Sequence, residues 1–286
     1  MKYPNLSDIE KQLSLHVSKT LALSTKRPPR ETASALLSWE RAQEFYDDMR
    51  SFLGPLKGKR LLEVGCGYGL FLAICQKNGI KAEGVEPASQ EFYKYTLKFS
   101  KEILERCSLT KDLIKNARGE KLPYKNNTFD VVVSLYTLEH VQDVQKVLKE
   151  SIRVLKPGGH LYCVVPNYGS FWEGHYGIFW VPYIPKSIAK FYVRMWGKSP
   201  EALDEYQFVN QLSLGKKIRG LPIRVKSWGN ELFIKKVQEL SISGNTLESA
   251  KKLLGILRFL KLLELSAHVL SFLKAQTPII LVAQKK

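Results

Sequence analysis

The residues of this chain with the types and spacing to do chemistry fall into four groups. In LLEVGCGYGLFLA (61–73) an apolar run is broken by Gly65, Gly67 and Gly69. Glycine inside an element costs about 0.5–1 kcal/mol relative to alanine, so three in five residues predict a main chain that must approach a ligand closely. The run KAEGVE ends in Glu86, twenty-one residues beyond Gly65, with Pro87 after it. A carboxylate ending a second strand at that distance from a glycine turn suits the paired hydroxyls of a ribose. LEHV carries Glu139 and His140, and histidine is the side chain most often used to remove a proton from an acceptor. The aromatic segment NYGSFWEGHYGIFWVPYIP sets Glu173 and His175 among Trp172 and Tyr176, groups able to stack on an acceptor, contact it or supply a second base.

The same spacings exclude other chemistries. A dinucleotide fingerprint needs glycine at position 70, which is Leu70, and a phosphate-cradling loop needs Gly-Lys followed by Ser or Thr, which is absent. The turn is therefore a poor pyrophosphate site, and with Glu86 it points to a nucleoside ligand lacking one. The bland alternative is a tight structural turn and a surface glutamate. Glu139, His140, Glu173 and His175 have no fixed ligand spacing, so no metal is expected.

These residues need elements to hold them. Residues 1–57 read as a helical cap, with SALLSWERAQEFYDDMRSFLG continuing as one helix until Gly54 and Pro55 stop it. From 58 to 167, RLLEV, KAEGVE, FDVVVSL and HLYCVVP read as strands, the last two apolar enough to be buried on both faces. PASQEFYKYTLKFSKEIL and VQDVQKVLKESIRVL between them read as helices, and this alternation predicts an α/β fold with a parallel sheet. Residues 168–221 form an aromatic lid expected to fold over the acceptor. In 222–286, IRVKSW and PIILVAQ read as two last strands of the same sheet, separated by a helical insertion at about 231–275.

In order, LLEVGCGYG, GVEPA, GEKLPYKNNTFDVVVSLYTLEHV and RVLKPGGHLYCVVPN resemble the motifs of the class I S-adenosylmethionine-dependent methyltransferases over about 59–167. The resemblance implies a Rossmann-like fold, a mostly parallel seven-stranded sheet with an antiparallel last strand, and S-adenosyl-L-methionine as cofactor. It implies that Glu63, Gly65, Cys66, Gly67 and Gly69 border the methionine part, that Glu86 and Pro87 hold the ribose, that Glu120 and Leu122 flank the adenine and that Leu135 forms the pocket floor. Relatives often carry an acid two positions before Glu120, where this chain has Arg118. Ubiquinone-pathway O-methyltransferases can present ExxEH for a divalent cation, but the first position here is Tyr136, which joins Trp172, Glu173 and Tyr176 as an expected acceptor contact. His140 and His175 are the expected catalytic bases.

Charge bounds the partners. Forty-four Lys and Arg against 27 Asp and Glu give +17, with a sequence pI near 9.6, an excess that favours anionic partners without choosing among them. The basic residues are spread along the chain and no RNA-binding module is apparent, so nucleic acid or protein is the second-ranked acceptor class. A small molecule, saccharide or lipid-linked acceptor methylated on oxygen ranks first. Polar positions 251, 258, 261, 268, 271 and 274 of the insertion make a narrow stripe on a broad apolar helix, which suits packing on the domain, a homodimer seam or an anionic membrane surface. Four cysteines without a CxxC pair read as reduced thiols, and MKYPNLSDIEKQL lacks a secretory pattern. The expected location is cytoplasmic, with peripheral contact at the inner membrane face as a second possibility.

Overall fold

The computed structural model describes residues 3–20, 28–88, 91–240, 255 and 262–286. Helices α1 (Ser7–Thr20), α2 (Pro29–Leu36) and α3 (Trp39–Leu53) precede strand β1 (Arg60–Val64). The single helix expected up to Gly54 is two, because Leu37 and Ser38 leave helical geometry and the Ser38 hydroxyl accepts the Arg41 N–H as the cap of α3. Gly54, at φ 69°, then ends α3 as expected. In α1, Ile9, Leu13 and Val17 are buried at a spacing of four, one stripe that packs the cap onto the core beneath it.

After β1 come α4 (Leu70–Lys77), β2 (Lys81–Val85), α5 (Glu91–Arg106), β3 (Ile114–Lys115), β4 (Phe129–Leu135), α6 (Val144–Val154) and β5 (Leu155–Val165). A short hairpin of β6 (Trp172–Glu173) and β7 (Ile178–Phe179) leads to α7 (Lys186–Met195) and α8 (Gln211–Ile218). The chain closes with β8 (Ile223–Ser227), α9 (Asn230–Gln238), a helix numbered here α10 (Leu263–Phe272) and β9 (Ile279–Lys285). The sheet order is β3-β2-β1-β4-β5-β9-β8. β1 to β5 are mutually parallel, and β9 is antiparallel to both β5 and β8, which places the terminal strand inside the sheet. Central strands covered on both faces need apolar residues at every position. Val131, Val132 and Val133 of β4 are all buried, alternating between two hydrophobic clusters on opposite sides of the sheet.

The strand order reverses direction at β1, where the chain crosses from the β2 side to the β4 side. Ligands of open α/β sheets bind at the carboxyl ends of strands at such a switch point. The glycine turn, Glu86 and the residues after Leu135 all leave the sheet at this edge.

Half of the expected polar stripe, positions 251, 258 and 261, lies outside the described residues. His268 and Lys274 are exposed as the stripe requires, but Ser271 is buried with Leu263 and Ala267, while Leu265, Val269 and Phe272 are exposed. Among the described residues no helix is long and apolar enough to cross a membrane.

Candidate active site

Gly65, Gly67 and Gly69 have φ of 73°, 50° and 76°, the left-handed region that only glycine enters freely. The N–H groups of Gly65 and Cys66 donate to the Val85 carbonyl at 2.9 and 3.1 Å, lashing the turn to the end of β2. The Gly67 N–H donates to Glu86 Oε2 at 2.9 Å. The three glycines are not interchangeable, which corrects the expectation that all three clear space for the ligand. A Cβ at Gly65 would lie 2.3 Å from Thr137 Cγ2 and one at Gly69 3.2 Å from Ile114 Cδ1, whereas one at Gly67 meets nothing within 4 Å. Only Gly67 opens toward the crevice; Gly65 is required by close packing of the loop after β4.

Gly65→Ala is accordingly expected to destabilise the fold by about 2–5 kcal/mol, the sum of a left-handed alanine and an overpacked contact. Gly67→Ala should cost only the backbone part, about 1–2 kcal/mol. Urea unfolding of both variants checks this, and equal losses would refute the assignment of Thr137 as the cause.

A cavity of about 360 Å³ runs along this edge, within the range of small-molecule sites. Its walls include Glu63, Gly65, Cys66, Gly67, Gly69, Glu86 and Pro87. Both acids there are buried, at 3% and 4% exposure. Burial pushes the Glu86 carboxyl up to about 7 against the opposing pull of its Gly67 hydrogen bond. Burial, reinforced by the neighbouring Glu86, raises the Glu63 carboxyl well above the ordinary range. Glu63 Oε2 has no hydrogen-bond partner. A buried, unpartnered carboxylate oxygen costs free energy until a donor or cation meets it. A ligand with an ammonium group and a vicinal diol supplies both complements, so these residues fit an adenosyl amino acid.

The walls also include Leu36, Arg41, Ala42, Phe45, Tyr136 and His140. Sequence reasoning missed the contribution of α2 and α3, whose apolar pattern reads as ordinary core. The Arg41 guanidinium lies 5.4 Å from the Phe45 ring centre and 5.2 Å from that of Tyr136, and the two rings are 5.8 Å apart. Tyr136 has φ 52°, rare for an aromatic residue and typical of strained positions at sites.

Behind His140, the fold gathers residues that the sequence separates. Ligating atoms of Glu139, His140 and His175 lie within 4.8 Å of one another. His175 Nδ1 is 2.7 Å from Glu173 Oε1, and Glu173 Oε2 accepts the Tyr176 N–H. The Tyr206 ring packs against both imidazoles, 5.1 Å from His140 and 4.5 Å from His175. Burial, with His175 nearby, lowers His140 to about 4, so its imidazole is neutral at neutral pH. Burial pushes Glu139 up to about 7 despite His175. Burial opposes the charge of His175, but Glu173 by hydrogen bond and charge, together with Glu139, raises it.

Several expected roles change in this setting. Glu120 lines the cavity, but its Oε1 accepts the N–H groups of Gln142 and Asp143, so it holds the loop before α6. Leu122 is buried among Val64 and Val147 in the core and is outside the cavity lining, correcting its adenine role. Leu135 lines the cavity at the end of β4. Trp172, Glu173, His175 and Tyr176 do not line it, because 168–209 folds on its own cluster around the fully buried Trp180. Of the expected acceptor contacts, Tyr136 alone reaches the cavity wall.

Comparison with known proteins follows the same outline. A family model described as a methyltransferase domain matches residues 38–214. Ubiquinone biosynthesis O-methyltransferase from Cereibacter sphaeroides is 30% identical over 191 residues, covering 65% of this chain and 72% of that protein. Sterol 4-C-methyltransferase from Caenorhabditis elegans is 36% identical over 99 residues, 34% of this chain and 28% of its own length, so the chain spans little more than a quarter of that relative. The crystal structure of an S-adenosylmethionine dependent methyltransferase from Mesorhizobium loti superposes with a TM-score of 0.54 at 16% identity, over 87% of this chain and 100% of that one, which shows the shared fold.

Proposed function

Because this chain belongs to the class I S-adenosylmethionine-dependent methyltransferases, we propose that it methylates a hydroxyl oxygen of a small, largely apolar acceptor. The observation that carries this reading is the continuity of one cavity from Glu63 and Glu86 to Phe45, Tyr136 and His140. A saccharide would ask for many polar partners at the acceptor end, where Leu36, Ala42 and Phe45 stand instead. The relatives named for ubiquinone and sterol chemistry support an apolar acceptor.

S-adenosylmethionine, when bound, supplies an electrophilic methyl group on a sulfonium. In this reading Glu86 accepts the ribose hydroxyls, Glu63 faces the ammonium, and the main chain at Gly67 lies against the ligand. Phe45 and Tyr136 stack on the acceptor and Arg41 stabilises negative charge developing on its oxygen. His140, neutral at neutral pH, marks the end at which the acceptor proton leaves. Positioning donor and acceptor in line accounts for much of the rate.

Glu86 gives this binding a pH signature. Hydroxyl donors favour the ionised carboxylate, so cofactor binding lowers a group that stands at about 7 in the free protein. Binding at about pH 6 should release close to one proton through Glu86, with Glu63 adding to it, and affinity should fall as pH drops below 7. Calorimetry in two buffers of different ionisation enthalpy reads the release directly. Binding that releases no proton at pH 6 and keeps constant affinity from pH 6 to 8 would contradict the assignment.

The acceptor class is tested by incubating the purified chain with methyl-labelled cofactor and separated lipid, glycan, RNA and protein extracts. Label is expected in the organic-soluble fraction. Label confined to RNA or protein would favour the use of the +17 charge instead.

A further inference from the structure

We propose that Glu139, His140 and His175 form a binding site for a divalent transition-metal ion at the acceptor end of the cavity. Glu139 is fully buried, and neither of its carboxylate oxygens has a hydrogen-bond partner. A buried carboxyl without donors either takes up a proton or is met by a cation, a protonated neighbour or an ion. A protonated His175 would answer this by donating to Glu139, yet no such hydrogen bond is formed. The spacing is that of co-ligands. His140 Nε2 lies 3.9 Å from Glu139 Oε1, too far for a hydrogen bond and within the about 3–4 Å that separates two ligands each about 2.1 Å from one ion. All three ligating atoms lie within 4.8 Å of one another, so the widest pair would close by about 1 Å to share one coordination sphere.

The surroundings of His175 support the assignment independently. Its Nδ1 is held by Glu173 at 2.7 Å, which leaves Nε2 as the ligating atom. Metal-bound histidines characteristically donate their other ring nitrogen to a carboxylate, which fixes the ring and raises its basicity. Glu173 is itself immobilised, 3% exposed with its second oxygen accepting the Tyr176 N–H, so the aromatic segment serves to present His175 to the residues after β4. Tyr136 stands at the first position of the ExxEH pattern, so the third ligand comes from a different segment of the chain.

Two imidazoles and one carboxylate select a borderline ion such as Zn²⁺, Fe²⁺ or Co²⁺ over Mg²⁺ or Ca²⁺, which take oxygen ligands. His140 lines the cavity, so the open coordination position faces the acceptor. Use of the ion in catalysis rests on the proposed reaction; its binding does not. An acceptor hydroxyl bound there loses its proton to water while the oxygen keeps the electron pair, because the ion stabilises the oxyanion. The new O–CH₃ bond then forms as the S–CH₃ bond breaks and sulfur takes its electron pair. The His140 imidazole acts as a ligand in this scheme and the ion takes over the lowering of the acceptor's proton affinity.

The test titrates Co²⁺ into the full chain after chelator treatment, reading d–d absorption, with Zn²⁺ as competitor. One equivalent is expected to bind with a nitrogen-coordinated spectrum. His175→Ala should weaken it by about 100-fold or more, and Glu173→Gln, which keeps the side-chain volume, by about 10- to 100-fold. His268→Ala, at the exposed His268–Glu264 pair, should leave binding unchanged. Cofactor affinity measured on the same samples verifies that each variant is folded. Failure of the parent chain to bind one equivalent overturns the proposal, as does binding lost in His268→Ala and kept in His175→Ala and Glu173→Gln. Because no acceptor is present, these outcomes are separate from failure of methyl transfer.

Discussion

Glu86→Ala will weaken S-adenosylmethionine binding by at least about 100-fold while leaving the fold intact, since two hydrogen bonds to a charged acceptor are worth about 1.5–3 kcal/mol each. The carboxylate is held where both duties meet, accepting the Gly67 N–H on one oxygen and facing the cavity. Its removal should be tolerated by the free protein, because a group that burial has pushed up to about 7 gains the fold little by being charged. Glu86→Gln separates the two contributions. It keeps an oxygen for Gly67 and loses the charge, so it should recover part of the affinity and lose the share of the proton release that comes from Glu86. Isothermal calorimetry with the cofactor, paired with a thermal melt, reads both quantities. Unchanged affinity in Glu86→Ala would remove this residue from the site.

The second large effect concerns turnover. His140→Ala is expected to lower kcat by roughly 10²- to 10⁴-fold, the usual contribution of a group that manages a proton in the transition state. Cofactor affinity should change little, because the substitution leaves Glu63, Gly67 and Glu86 in place. The split matters, since a residue that only packed against Tyr206 and His175 would lower stability and leave the ratio of kcat to cofactor affinity unaltered. Single-turnover methyl transfer from a preformed cofactor complex isolates the chemical step. Equal rates in His140→Ala and the parent chain would reduce this histidine to a packing role.

Much of the cofactor end was legible in the sequence because it is built from consecutive residues. A strand, a glycine turn and a helix lie within 61–73, and the acid that closes the site ends the very next strand. Even there, pattern alone could not separate Gly67, which faces the crevice, from Gly65, which yields to Thr137 seventy-two positions later. The strand β3 went unread because two residues carry no periodicity. The break between α2 and α3 is signalled by Ser38 as a cap, but the apolar spacing runs through it.

The acceptor end was harder for a physical reason: its walls come from segments far apart in the chain. Arg41 and Phe45 of α3 meet Tyr136 after β4, and a residue on an amphipathic helix looks the same whether it faces a core or a cavity. The aromatic segment shows the converse. Its Trp, Tyr and Phe residues suggested an acceptor platform, yet Trp180, Tyr176 and Tyr168 form a core of their own. What reaches toward the cavity from that segment is His175, through its contact with His140. Glu139 and Glu173 are 34 positions apart, and only the tertiary fold reveals that one imidazole lies between their neighbourhoods.

The most direct measurement is a crystal structure with S-adenosylhomocysteine and its electron density along the carboxyl edge of the sheet. The account expects both ribose hydroxyls within about 2.5–3.0 Å of the Glu86 carboxylate. It also expects the amino group near Glu63 Oε2 and the thioether sulfur turned toward Tyr136 and His140. A ligand bound elsewhere, or a crevice that stays empty at saturating concentration, would contradict it.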